Sequence, residues 1–154
     1  ITLVGSCVTE TRLRAQAEQH DLRNVRFLPP QPFERISNVL ALADAQLVTL
    51  KDVPVLRSTL PSKLQANLAA GQPIIGSVSG DAAAVIEDAA AGFTAPPGDA
   101  PALANAMMSF ADMSSDARNR LRTNSRNAYE QNFSEKVIGD ELSALLHKAA
   151  RSRG

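Results

Sequence analysis

Short apolar runs alternate with longer amphipathic segments along most of the chain. A short apolar run indicates a buried strand, whereas apolar residues three and four positions apart indicate a helix packed on one face. The pattern predicts strands near residues 1–5, 25–28, 45–50, 73–78 and 92–95. It predicts helices near residues 9–20, 32–43, 62–70, 81–89, 99–112, 115–130 and 134–151.

This alternation predicts an α/β fold, a Rossmann-like parallel sheet flanked by helices. The segments 45–50 and 73–78 are apolar on both faces, as expected of strands covered by helices on each side. Parallel sheets of this kind bind ligands beyond the carboxyl ends of their strands. We therefore expect the functional loops to be those at 5–9, 29–32, 51–61 and 78–81.

Length and composition indicate one domain. The chain has 154 residues, of which 44% are hydrophobic, and this suits a single core better than two. From about residue 99 to 151 the pattern is helical without a further strand, which predicts a helical tail. Because the chain opens with Ile1 directly on a strand-like run, we expect it to be part of a longer protein.

Charge and cysteine content narrow the function classes. Sixteen basic residues balance sixteen acidic ones, so no global charge favours nucleic acid as a partner, and any attraction for an anion must be local. Cys7 is the single cysteine, which excludes an internal disulfide and suits a reducing compartment. The apolar runs are too short to span a bilayer. We expect a cytoplasmic protein.

The segment 60–75 is a candidate anion site. A helix that starts near Ser62 would direct its first amides and the positive end of its dipole outward, and Lys63 would add a full charge there. The alternative is structural: Ser62 is an N-cap, Gln65 completes a capping box, Lys63 is solvated, and Gly71 ends the helix. The residues alone favour neither interpretation.

Other loops offer weaker candidates. Gly5 and Ser6 follow the first strand and could approach a phosphate or a ribose, although a plain turn fits equally well. Lys51 and Arg57 lie in the long loop 51–61 and point to a basic cluster, or are ordinary solvated charges. His20 and His147 lie in polar helical settings, where surface positions are expected.

Several motifs in a fixed order resemble the nucleotide-sugar half of retaining glycosyltransferases of the GT-B fold. The resemblance is strongest to family 4 enzymes of the colanic acid type and covers nearly the whole chain. It rests on Val4-Gly5, Val25-Arg26-Phe27-Leu28-Pro29, Pro61-Ser62-Lys63-Leu64, Leu68-Ala69-Ala70-Gly71-Gln72-Pro73-Ile74-Ile75, Gly80-Asp81, Ala91-Gly92-Phe93, Pro97-Gly98-Asp99 and Phe133-Ser134.

The resemblance implies roles for particular residues. Backbone amides at Pro61, Ser62 and Lys63 would contact the donor diphosphate, and Lys63 would act in catalysis by stabilising charge on the leaving group. Loop 27–31, with Leu28 and Pro29, would line the base. Gly5 and Ser6 would complete the donor site.

The chain departs from the family at the ribose contact. The family places two glutamates eight positions apart, and this chain has Ser58 and Ala66 there. Either Asn67 takes up a sugar contact or the ribose is held in another way.

By resemblance, we expect transfer of a sugar from a UDP- or GDP-sugar to a glycan or lipid-linked acceptor in polysaccharide biosynthesis, without a metal or a cofactor. The acceptor domain and the first strand of this domain would precede Ile1, so the chain alone would be inactive, and the longer protein would associate peripherally with a membrane. One alternative is a sugar-nucleotide epimerase of the same fold. Another is a flavodoxin-like receiver module with Asp52 after a strand, although Gly5-Ser6-Cys7 lacks the acidic pair that a receiver needs.

Overall fold

The structure, a computed structural model, describes residues 1–151 and divides the chain into two compact units. The N-terminal unit is Ile1–Val39, and the C-terminal unit starts at Leu40. The sequence predicts a single domain over residues 1–154. The last three of these residues, 152–154, lie outside the part of the chain that the structure describes.

The N-terminal unit contains a two-stranded parallel sheet. Its elements are β1 (Thr2–Val4), α1 (Glu10–Gln19) and β2 (Arg26–Leu28), followed by α2 (Phe33–Ala41). Leu3 pairs with Phe27 at the centre of the β1–β2 ladder. The Arg14 guanidinium of α1 lies 4.5 Å from the centre of the Phe27 ring and so packs α1 against β2.

The C-terminal unit contains a three-stranded parallel sheet in the order β3-β4-β5. Its strands are β3 (Gln46–Thr49), β4 (Ile74–Ser77) and β5 (Gly92–Ala95). Its helices are α3 (Pro54–Arg57), α4 (Ser62–Ala69), α5 (Asp81–Asp88), α6 (Ala100–Ala111), α7 (Ser115–Asn132) and α8 (Glu135–Arg151).

The central strand β4 is covered on both faces, as its sequence predicts. Ile74 is fully buried and belongs to a cluster with Leu64 and Leu68 of α4 and Ile86 of α5. Ile75 points to the opposite face and packs in a second cluster formed mainly by α6. Alternate side chains of one strand thus anchor two helical layers.

The predicted elements agree with the structure in type and order, with one omission. The four-residue helix α3 lies inside the segment interpreted as loop 51–61. Pro54 at its first turn fixes φ for a helix start, but four residues are too few to show a helical period. Three helices, α6, α7 and α8, follow β5 over the segment predicted to be a helical tail. Within the described chain, however, α8 has no buried side chain, and Leu142, Leu145 and Leu146 are more than half exposed.

Candidate functional site

The first turn of α4 has no side-chain cap. Pro61, in extended conformation, is the N-cap, and Ser62 is already the first helical residue. The structural alternative, a capping box of Ser62 and Gln65, is therefore wrong, because a residue with helical geometry cannot serve as the N-cap. The Pro61 carbonyl accepts a hydrogen bond from the Leu64 amide at 2.9 Å. In the part of the chain described, the amides of Ser62 and Lys63 have no protein acceptor.

The side chains at this helix start face solvent. Ser62 and Lys63 are exposed, and the Lys63 ammonium has no ion-pair partner among residues 1–151. Pro61 is half-buried. Because proline has no N–H, Pro61 cannot donate to a ligand, which corrects the expectation that all three residues supply amides. Ser62 and Lys63 are thus the two possible amide donors of this turn, with the Lys63 ammonium beside them.

Of the two weaker basic candidates, Arg57 is already paired. Its Nη2 lies 2.9 Å and its Nε 3.1 Å from the same Asp52 carboxylate oxygen, in a contact that is about half exposed on both sides. Nothing in the sequence pattern signals this pair, because its members are five residues apart across a turn. Lys51 is exposed and has no such partner among the described residues. Arg57 is therefore less available to an anion than Lys63.

Gly80 places a second helix start beside this region. It is the N-cap of α5, with φ 66° and ψ −140°, and a Cβ built on it would lie 2.0 Å from the Arg57 carbonyl oxygen. The turn from β4 to α5 is therefore pressed against the end of α3, from which the chain continues to α4. Gly80-Asp81 is one of the motifs on which the family resemblance rests. The sequence does not predict the contact between Gly80 and Arg57, because the two residues are far apart in the chain.

Asn67 does not reach the surface at the position expected for a sugar contact. Its side chain is 1% exposed, and neither its Oδ1 nor its Nδ2 has a hydrogen-bond partner within residues 1–151. Its neighbour Ala66, at the family glutamate position, is exposed. Successive helical residues differ by about 100° in direction, so Asn67 points into the core where Ala66 points out. The arrangement supports the alternative in which other groups hold the ribose.

The four remaining predicted site residues lie in the N-terminal unit, where the structure brings them together. The Gly5 amide donates to the Leu28 carbonyl at 3.0 Å, so the carboxyl ends of β1 and β2 are adjacent. Ser6 and Pro29, which follow them, are exposed, and Leu28 is 43% exposed. The Pro29 carbonyl accepts a hydrogen bond from the Gln31 side chain at 3.0 Å. This edge presents backbone groups and an apolar side chain to solvent.

Other chemistry is sparse in the part of the chain that the structure covers. Residues 1–151 contain no cluster of three or more His, Cys, Asp or Glu side chains that could hold a metal ion. No helix among them has both the length and the apolarity needed to cross a membrane. His20 and His147 are exposed, as expected.

The parallel strands and their flanking helices define a Rossmann-like α/β protein. The structure resembles the crystal structure of Anabaena Alr3699/HepE in complex with UDP, with a TM-score of 0.71 and 21% identity over 96% of this chain and 40% of that chain. Residues 1–128 match the family model of glycosyl transferases group 1. The chain belongs to the glycosyl transferases group 1 family, and the prediction of a domain from the C-terminal half of a GT-B glycosyltransferase is confirmed.

Two curated relatives share the name WcaL, a glycosyltransferase assigned to colanic acid biosynthesis. The chain is 28% identical over 151 residues to the Salmonella typhimurium protein and 29% identical over 148 residues to the Escherichia coli protein. Each match covers 94% of this chain and 36% of the relative. The chain thus spans about a third of the length of the curated relatives it matches.

Proposed function

We propose that this chain is the donor-binding part of a retaining glycosyltransferase that moves a sugar from a UDP- or GDP-sugar to a glycan or lipid-linked acceptor in polysaccharide biosynthesis. The observation that carries the proposal is the start of α4, where the Ser62 and Lys63 amides and the Lys63 ammonium have no partner among the described residues, and both side chains are exposed. The family match and the WcaL relatives support the reaction class. The UDP in the structurally similar HepE crystal supports the donor class.

The chemistry follows from the charge that develops during transfer. When the bond between the sugar and the diphosphate breaks, negative charge grows on the leaving phosphate oxygen. Amides fixed at a helix start and the Lys63 ammonium would stabilise that charge more strongly than the ground state, which lowers the barrier. The helix already holds the donors in place, so the step requires little reorganisation.

The N-terminal unit, taken by itself, carries the other site residues that the resemblance implies. Leu28 and Pro29 offer an apolar surface and a carbonyl to a nucleobase, and Gly5 and Ser6 offer close backbone approach and a hydroxyl to phosphate or ribose. We assign the ribose contact to these or other groups rather than to Asn67, because the Asn67 side chain is buried. The donor is a substrate, and the proposal includes no separate cofactor and no metal.

The proposal extends to the protein that carries this chain. Its acceptor would be bound outside the chain, since the chain spans only 36% of its WcaL relatives. A cytoplasmic location with peripheral membrane association would give such an enzyme access to both nucleotide sugars and lipid-linked acceptors.

A nucleotide titration tests the donor site. The intact protein is titrated with UDP, GDP, ADP and TDP by calorimetry, and we expect selective binding of UDP or GDP. Equal affinities for all four nucleotides would show that the protein does not recognise the base. No binding would disprove the proposed diphosphate site at the α4 start. The reaction is identified by incubating the protein with the matching nucleotide sugar and an acceptor. Transfer of the sugar to the acceptor supports a glycosyltransferase, whereas release of an epimerised free sugar would indicate an epimerase.

A further inference from the structure

A groove between α5 and α7 lies at the other end of α5 from Gly80. It is a half-open groove of about 580 Å³, a volume comparable to the roughly 300–1,000 Å³ of small-molecule sites. The α5 helix runs from the carboxyl end of β4 back towards the start of β5, and the groove lies along its second half, from Val85 to Ala89. The polar lining residues are Asp88, Asn124, Asn127, Gln131 and Asn132, and Phe133 is an aromatic residue of the lining.

The lining consists mostly of uncharged amides. Four of its side chains are Asn or Gln, and within the described residues it contains one carboxylate and no cation. On α7, Arg118, Arg122 and Arg126 point elsewhere and donate hydrogen bonds to Ala111, Gln72 and Ala69. Arg120 lies one turn before Asn124 on the amide side of α7 but does not line the groove. The lining itself therefore offers amides and one carboxylate but no cation among the described residues, which argues against a phosphate or another anion as ligand.

Two of the amides are held by the fold, and two are free to bind. The Asn124 and Asn132 side chains line the groove and donate to the carbonyls of Ala90 and Ala128, each at 2.9 Å, so these hydrogen bonds fix their orientation. Asn127 and Gln131 are exposed, and no residue of 1–151 bonds their side chains. Asparagine is a poor helix former, so three of them on one stretch of α7 disfavour the helix itself.

We propose that this groove binds a neutral oligosaccharide. A side-chain amide both donates and accepts, as a sugar hydroxyl does, so a row of amides with one carboxylate matches the hydroxyls along a glycan. The half-buried ring of Phe133 offers an apolar surface to the C–H face of a sugar ring. The choice of a glycan over another neutral ligand rests in part on the proposed function, since a polysaccharide-building enzyme meets its growing product at high local concentration.

The test uses the intact protein and a panel of short neutral oligosaccharides of glucose, galactose, mannose and fucose. Binding is followed by calorimetry and by the NMR shifts of the Asn and Gln side-chain amides. We expect at least one panel member to bind with a Kd of about 1 mM or tighter and to shift the Asn127 and Gln131 signals. The double variant Asn127→Ala/Gln131→Ala should weaken that binding at least about tenfold, or 1.4 kcal/mol.

Asn119→Ala is the matched control, because Asn119 is an exposed amide of the same helix outside the groove. It should leave oligosaccharide binding unchanged. No binding by any panel member, or binding that the double variant leaves intact, overturns the proposal, and so does a groove that is occupied by a peptide instead. UDP and GDP are titrated into the same samples. Because the groove variants should not alter nucleotide affinity, failure of the glycan site and failure of the donor site are told apart.

Discussion

Gly80 lies so close to Arg57 that a Cβ on Gly80 would be 2.0 Å from the Arg57 carbonyl oxygen and 2.8 Å from its Cα. Both neighbours are main-chain atoms, which cannot rotate away as a side chain would. The contact joins the turn before α5 to the segment that leads into α4. It therefore links the shape of the β4–α5 turn to the position of the proposed phosphate donors.

Gly80→Ala should destabilise the protein and weaken nucleotide binding. The backbone at φ 66° and ψ −140° is nearly restricted to glycine, and the added methyl must also displace the Arg57 main chain. We expect a loss of about 3 kcal/mol in the free energy of unfolding, measured by urea denaturation. Nucleotide affinity should fall even under conditions in which the variant is folded, because α4 starts a few residues after Arg57.

Gly98→Ala is the control for backbone strain. Gly98 has φ 82°, and a Cβ there would have no neighbour within 4 Å among residues 1–151. It should cost about 1–2 kcal/mol from left-handed geometry alone and leave nucleotide affinity unchanged. Equal effects of the two substitutions would show that the Arg57 contact contributes nothing.

Gly92→Ala should disrupt the sheet of the C-terminal unit. Gly92 opens β5 opposite Ile74, and a Cβ on it would lie 1.8 Å from the Ile74 carbonyl oxygen. The two strands would have to separate, and β4 is the buried centre of both core clusters. We expect a loss above about 4 kcal/mol, or no folded protein, as judged by circular dichroism and denaturation.

Gly71→Ala separates this steric effect from backbone strain. Gly71 has φ 63°, but its nearest neighbours to a Cβ lie at 3.5 and 3.7 Å, which is ordinary contact. Its cost should be about 1–2 kcal/mol. If Gly92→Ala lowered the free energy of unfolding no more than Gly71→Ala does, β4 and β5 could not approach as closely as the structure shows.

The sequence predicts elements whose signal is periodic and local. Ile74 and Ile75 are adjacent apolar residues, and this pattern predicts a strand buried on both faces, as found. The helical spacing of Leu64, Asn67 and Leu68 also predicts that Asn67 is buried, because the three residues lie on one face of α4. The amide of Asn67 instead suggests a sugar contact, and this suggestion disagrees with its burial. The contact of Gly80 with Arg57 joins residues 23 positions apart (80 minus 57), and no local pattern predicts it.

Asn67→Leu should maintain or raise stability. Both polar atoms of the Asn67 amide are buried without a protein partner among the described residues, and burying an unpaired polar group costs about 1–3 kcal/mol. Leucine keeps the branching at Cγ and removes that cost, so we expect a gain of up to about 2 kcal/mol in the free energy of unfolding. Nucleotide affinity should not change, because Asn67 is buried.

Asn67→Val is a second variant for the case in which leucine does not fit the space that Asn67 occupies. Valine also removes the amide but is smaller than leucine. Destabilisation of both variants by more than about 2 kcal/mol would mean that the amide has a structural partner. A loss of nucleotide affinity in both, with stability retained, would restore Asn67 as a ligand contact.

Lys63→Ala should weaken donor binding without affecting the fold. Lys63 is exposed and unpaired in the described chain, so its removal should change the free energy of unfolding by less than about 0.5 kcal/mol. If its ammonium bonds the diphosphate, nucleotide affinity measured by calorimetry should fall about 10- to 100-fold. The transfer rate should fall about 10²–10³-fold, because the charge on the leaving group is greater in the transition state.

Two control variants test whether the charge of Lys63 causes these losses. Lys63→Arg keeps the charge and should recover part of the nucleotide affinity and of the transfer rate. Lys136→Ala removes an exposed lysine of α8 and should change neither quantity. Equal nucleotide affinity of Lys63→Ala and the parent protein would exclude the α4 start, with its lysine, as the diphosphate site.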